Sequence, residues 1–142
     1  MNYPKSRMAD LIETIAHNTD YKIAHNDTVK QIEQVFRNHG FYTTREYPIY
    51  RIKDKSGRAG RIDLVARKGK FRVAIEYDHH QVIKWKSFQK IVQIKPDVAI
   101  GITGSGSLGP NIERATKYLK YLESKLYVIS LKQKVYRLLE RN

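Results

Sequence analysis

The chain has 142 residues, 41% of them hydrophobic, which predicts one domain with a true core and excludes a disordered tail. Lysine and arginine number 27 against 14 acids, for a net charge of +13 and a pI near 9.9, so a polyanion, most often nucleic acid, is the expected partner. The absence of cysteine excludes disulfides, thiolate zinc sites and cysteine nucleophiles, and no apolar run approaches the roughly 18 residues of a membrane span.

Met8, Leu11, Ile12 and Ile15 recur at helical spacing and predict a short amphipathic helix. His17 to Asn26 is polar and reads as a linker, with His17 and His25 carrying no signal. Residues 1–26 therefore form an N-terminal helix and linker, whose apolar stripe is a candidate dimerisation arm for a homodimer. Residues 27–142 form the main domain. Asp27 or Thr28 is expected to cap a second helix, with Val29, Ile32 and Phe36 inward and Gly40 at its end. Phe41 to Ile52 reads as a strand and Asp54-Lys55-Ser56-Gly57 as a turn. Arg61 to Arg67 and Phe71 to Tyr77 are two more strands around Lys68-Gly69. Lys84 to Ile94 is a basic helix stopped by Pro96. Val98 to Ile102 has the apolar run of a buried strand. Pro110 suits the first turn of the next helix. Leu126 to Ser130 and Lys134 to Leu138 are late strands, the last of them also compatible with a helix. The predicted core order is α-β-β-β-α-β-α-β. The opening Met1-Asn2-Tyr3-Pro4-Lys5 has no signal-peptide character, so a cytoplasmic location is expected.

Charge is unevenly placed. Residues 1–26 hold three basic and three acidic residues, so the whole excess lies after them. Arg45 to Arg72 carries ten basic side chains against Glu46, Asp54 and Asp63; Lys84 to Lys95 carries four lysines and no acid. Arg45, Arg51, Arg58, Arg61, Lys84 and Lys86 are the candidate nucleic-acid contacts. Tyr42, Tyr47 and Tyr50 interleave with the arginines, either as half-buried strand residues or as platforms for unpaired bases. Tyr118 and Tyr121 read as packing residues.

Acids fall inside the strand pair. If Lys68-Gly69 is a two-residue turn, Arg67 faces Lys70 and Asp63 faces Ala74. Strand alternation then sorts Asp63, Ala74, Glu76 and Asp78 onto one face, with Ile62, Leu64, Val73, Ile75 and Tyr77 on the other. Asp63 and Glu76 become diagonal neighbours, roughly 7 Å apart at the backbone. Converging carboxylates need a counter-charge, which nearby Lys or Arg or a hard cation such as Mg²⁺ or Mn²⁺ can supply.

Asp63 in Gly60-Arg61-Ile62-Asp63-Leu64 and Glu76 in Ala74-Ile75-Glu76-Tyr77-Asp78 resemble the D…(D/E)-x-K motif of the PD-(D/E)xK, restriction-endonuclease-like nuclease superfamily. The resemblance covers about residues 27 to 130. It implies an α/β fold with an αβββαβ core, a central mixed sheet flanked by helices. It also implies Mg²⁺ or Mn²⁺ held by Asp63 and Glu76, and endonuclease activity on nucleic acid, DNA ahead of RNA. Asp78 stands where the family has its lysine. It is a candidate second-metal ligand or base, and Lys84, Lys86 or Lys90 on the following helix is left to supply the ammonium, Lys90 by preference. Glu46 or Glu33 is the candidate additional acid. Two alternatives accompany this reading: an inactive nucleic-acid-binding module on the same fold, and a basic interaction protein.

Two further motifs point elsewhere. Gly104-Ser105-Gly106-Ser107-Leu108-Gly109 is a literal G-x-G-x-x-G between strand and helix. Too little chain follows it for a dinucleotide domain, so a flexible connecting loop is expected, with contact to a nucleic-acid phosphate as the alternative. His79-His80 follows Asp78, and alternation allows at most one of them to approach the site.

Overall fold

The computed structural model describes residues 3–53, 57 and 59–141. Among the described residues four helices flank one six-stranded mixed sheet. The helices are α1 (Lys5–Asn18), α2 (His25–Asn38), α3 (Trp85–Ile94) and α4 (Leu108–Leu119). The strands are β1 (Tyr42–Lys53), β2 (Ala59–Lys68), β3 (Phe71–Asp78), β4 (Val98–Thr103), β5 (Lys125–Ser130) and β6 (Val135–Leu139), adjacent in that same order. The first three strands are antiparallel, β3, β4 and β5 run parallel, and β6 returns antiparallel. The element order agrees with the one expected from periodicity, and the last segment is a strand.

Parallel strands need crossovers, and α3 and α4 provide them on one face. Ile83, Phe88, Ile91, Ala115 and Leu122 pack there against Ala74, Ala99 and Val128. On the opposite face α1 and α2 bury Leu11, Ile12, Ile15, Ile32 and Phe36 against Ile75, Ile100 and Ile129. Strand β4 is buried along its whole length, which explains its unbroken apolar run.

The N-terminal stripe is used inside the chain. Met8, Leu11, Ile12 and Ile15 are at most 2% exposed, so the expected dimerisation arm is instead part of the core. The linker is also shorter than expected, because α2 begins at His25 rather than after Asp27 or Thr28. The reason is local: the Asp27 and Thr28 N–H groups already bond the Ala24 carbonyl, and the Thr28 hydroxyl donates to the Asp20 carbonyl at 2.9 Å. The turn expected at Asp54-Lys55-Ser56 lies outside the described residues, although Gly57 has φ +83°.

The β2–β3 hairpin has a different register from the expected one. Arg67 pairs with Arg72 and Lys68 with Phe71, so Gly69-Lys70 makes the turn, and Val65, not Asp63, lies opposite Ala74. Gly69 at φ +60° supplies the left-handed residue that this tight turn requires. The shift is two residues, so side-chain parity survives from Leu64 onward. Ile62 does not follow it. It packs in the α3–α4 core while Leu64 packs in the α1–α2 core, so β2 turns over at Asp63. Across from that point Glu46 of β1 has φ +54°, which lets the paired strand turn with it.

No helix among the described residues is long and apolar enough to cross a membrane.

Candidate active site

Asp63 and Glu76 meet where the β2–β3 ladder stops. The last regular pair is Leu64 with Ile75. Beyond it the two carboxylates replace backbone carbonyls as acceptors. The Asp63 N–H donates to Glu76 Oε2 and the Tyr77 N–H donates to Asp63 Oδ2, each at 2.8 Å. A turned-over strand leaves backbone N–H groups without cross-strand partners, and an acid on each strand satisfies the other's. The two acids are therefore directly opposed rather than diagonal.

Cations close the site from two other elements. Lys90 of α3 reaches across the sheet face, its Nζ 2.8 Å from Glu76 Oε1 and 2.8 Å from the Arg61 carbonyl. His25, the first residue of α2, donates from Nε2 to the Tyr77 carbonyl at 3.0 Å and lies 3.7 Å from Asp63 Oδ1. Glu76 is 1% exposed at its side chain, Lys90 17% and Asp63 23%, so the cluster opens to solvent on the Asp63 side.

Electrostatics separates the two acids. Burial, reinforced by the Asp63 charge, pushes the Glu76 carboxyl well above its usual range despite Lys90. Burial also opposes ionisation of Asp63, but hydrogen bonds involving His25, Glu76 and the Tyr77 N–H, with the His25 charge, together hold its pKa below the usual value. The Asp63 carboxylate in turn raises His25 to about 9, against the opposing effect of burial. The result is an ionised Asp63 beside a cationic imidazole at neutral pH, and a buried Glu76 whose environment disfavours its charge.

The remaining sequence candidates are elsewhere. Asp78 is held at the start of α3, where its Oδ2 accepts the Lys84 N–H at 3.1 Å and the Ser87 hydroxyl at 2.9 Å. Lys84 and Lys86 are exposed on the first turns of that helix. Glu46 is 67% exposed at its side chain and 3.9 Å from Arg61. Glu33 is buried, accepting the Thr43 hydroxyl at 2.7 Å with Arg45 at 3.2 Å, so Arg45 is engaged within the chain. Arg58 and the side chain of Arg51 lie outside the described residues. His79 shares a hydrogen bond with the Tyr77 hydroxyl at 3.1 Å, and the His80 carbonyl accepts the Thr103 hydroxyl at 2.7 Å. Tyr42 and Tyr50 are exposed, while Tyr47 packs against the α3–α4 core.

The glycine-rich segment is a packed joint rather than a flexible loop. A Cβ on Gly104 would lie 2.6 Å from the Tyr77 hydroxyl, and one on Gly106 would lie 1.9 Å from the Gln81 carbonyl. The Gly106 N–H donates to Thr103 Oγ1 at 3.0 Å and the Gly106 carbonyl accepts the Ser130 hydroxyl at 2.6 Å. Gly104 and Gly106 thus admit the 79–81 segment at close range, while Gly109 has open space beside it.

His25 is the site residue that sequence reasoning passed over. Nothing near it in the chain announces a role; only the docking of α2 against β3 brings it to Asp63.

The donor set fits a hard divalent cation. Asp63 and Glu76 offer carboxylate oxygens, and Mg²⁺ is commonly bound by one or two carboxylates with water and substrate phosphate completing its shell. Among the described residues no group of three or more His, Asp or Glu side chains is arranged to hold a metal.

No family model and no curated protein matches the chain. A solved structure of a protein of unknown function, AF1548, is similar over 71% of this chain at 19% identity, with a TM-score of 0.46. The matched region spans 56% of that protein's length.

Proposed function

We propose that this chain is a metal-dependent endonuclease of the PD-(D/E)xK type. Asp63 and Glu76 hold Mg²⁺ or Mn²⁺, and Lys90 fills the role of the family's lysine from the helix after the motif strand. The observation that carries the reading is the convergence of Asp63, Glu76 and Lys90 from β2, β3 and α3, at the point where the strand ladder gives way to side-chain bonds. The order α2-β1-β2-β3-α3-β4 supports a restriction-endonuclease-like core.

When bound, the metal supplies a Lewis acid for a phosphate oxygen and a more acidic water. The chain's own residues prepare that event. Hydrogen bonds from the Asp63 and Tyr77 N–H groups fix both carboxylates relative to the sheet. His25 keeps Asp63 ionised. Lys90 sets a positive charge beside Glu76, where it offsets the negative charge that grows on a phosphate under attack. The excess of +13 attracts the nucleic-acid backbone to the protein.

A second reading is favoured by one observation: both oxygens of the buried Glu76 are already engaged, by the Asp63 N–H and by Lys90. A cluster so satisfied suits a nucleic-acid-binding module that has no catalysis. One experiment separates them. Labelled duplex, single-stranded and branched DNA are incubated with the protein in Mg²⁺, Mn²⁺ or EDTA. The enzyme cleaves only with metal, and Asp63→Ala, Glu76→Ala and Lys90→Met each slow cleavage by at least about a hundredfold. Tight, salt-sensitive binding with no cleavage in any metal establishes the module instead.

A further inference from the structure

A second cluster, made of rings and cations, lies between α3 and α4. Trp85 is 37% exposed and Tyr121 is 59% exposed, both unusual for large rings. Tyr118 sits between them, 5.3 Å from Trp85 and 6.1 Å from Tyr121, and is anchored below by stacking on Phe88 at 5.3 Å. The rings thus form a continuous series fixed to the core rather than isolated surface side chains.

Cations accompany every exposed ring. The Arg114 guanidinium lies 4.1 Å from the centre of the Trp85 ring and is pinned by its Nε bond to the Ile83 carbonyl at 3.1 Å. Lys117 is 5.7 Å from Trp85, and Lys120 is 5.1 Å from Tyr121. The open cleft between the helices is lined by Trp85, Gln89, Lys117, Tyr118, Lys120 and Tyr121, with no acid among them. Glu113 lines an adjoining hollow that shares Trp85 and Lys117 with this cleft. Exposed π-faces next to ammonium groups match a ligand that carries flat bases and phosphates together. A duplex offers the phosphates but keeps its bases stacked on one another, so the rings would gain nothing from it.

We propose that this cleft binds an unpaired stretch of nucleic acid, with bases stacking on Tyr121 and on the part of Trp85 that Arg114 leaves open, and phosphates meeting Lys117 and Lys120. The proposal rests on the nucleic-acid part of the function proposed above and adds the substrate class, a nucleic acid with single-stranded character next to the cleavage point. Adjacency follows from α3. Trp85 and Gln89 form one i, i+4 row of that helix, Lys86 and Lys90 form the next, and Lys90 is the residue on Glu76.

Trp85 is the sole tryptophan, so selectively excited tryptophan emission reports on this residue. The full chain in EDTA is titrated with oligothymidylate and with blunt duplex of equal phosphate content. The single strand quenches the emission and the duplex does not. In anisotropy with labelled oligonucleotide, Tyr121→Ala and Lys117→Ala/Lys120→Ala weaken single-strand binding by about tenfold and change duplex binding by less than about twofold. All three side chains are exposed, and unchanged thermal unfolding confirms that the variants fold. Equal quenching by duplex or by poly-glutamate, or unaltered single-strand binding in Tyr121→Ala, overturns the proposal. Absence of binding to any nucleic acid overturns both proposals. Quenching that persists without metal-dependent cleavage removes the hydrolytic reading and leaves this one standing.

Discussion

His25 shows how one imidazole ties an acid to a fold. Its pKa of about 9 lies above the ordinary 6.5, so its protonated form adds stability that is complete below pH 6.5 and is lost as pH rises through about 9. Asp63 describes the same contact from the other partner. Its lowered pKa makes the contribution present above the ordinary carboxylate range and lost as pH falls through the depressed value. The two shifts share one interaction and are not added. His25→Gln should therefore lower Tm most between about pH 5 and 6.5, with the difference fading by about pH 10, in thermal melts run in EDTA. His25 is 40% exposed at its side chain, so solvent screening limits the effect to about 1 kcal/mol or less, a few degrees of Tm. A Tm difference that is flat across this range would separate His25 from Asp63 energetically.

Helix α3 connects the acid site to the cleft, and its N-terminus depends on a residue that lies before it in β3. Asp78 takes the place of a capping side chain: Lys84 at the N-cap position makes no side-chain cap bond, while the Asp78 carboxylate accepts the Lys84 N–H and the Ser87 hydroxyl. A negative charge there also complements the helix dipole. Asp78→Ala should destabilise the protein by about 1–2 kcal/mol in urea denaturation. The metal binding proposed for Asp63 and Glu76, followed by calorimetry, should persist in that variant. Loss of metal binding with full stability would restore Asp78 to the ligand set that its place in the motif suggested. On the proposed nuclease reading, Lys90, about one and a half turns beyond Trp85 on this helix, stands in for the motif's lysine at Glu76.

Over the whole molecule the charge is +13, and four acids of the described residues are drawn into the fold. Glu33, Glu76 and Asp78 are buried, and Asp63 and Glu33 face cations of the same chain. Basic side chains consequently dominate what a polyanion meets. Binding to nucleic acid should weaken linearly in log affinity against log salt, with a slope on the order of −5 between 50 and 200 mM KCl, read by anisotropy. A slope near zero would point to a partner recognised by shape and apolar contact rather than by its phosphates.

Much of this layout was legible from local pattern. Helical spacing in Met8 to Ile15 and in Val29 to Phe36, alternation in β2 and β3, and the apolar run of β4 each reflect one element's burial, and burial of one face imposes a period on neighbouring residues. The same alternation set Asp63 and Glu76 on one face, because a register error of two residues preserves parity. Other features depend on residues far apart in the chain. The turn at Gly69-Lys70, the reversal of β2 at Asp63, the approach of His25 to Asp63 and of Lys90 to Glu76, and the burial of the α1 stripe all follow from how elements dock. Docking is a sum over many contacts between separate elements, and no window of sequence contains it. The composition pointed to a polyanion. The packing of α2, α3 and α4 on the sheet turned that general charge into a paired acid cluster, with a cationic cleft one helical row away.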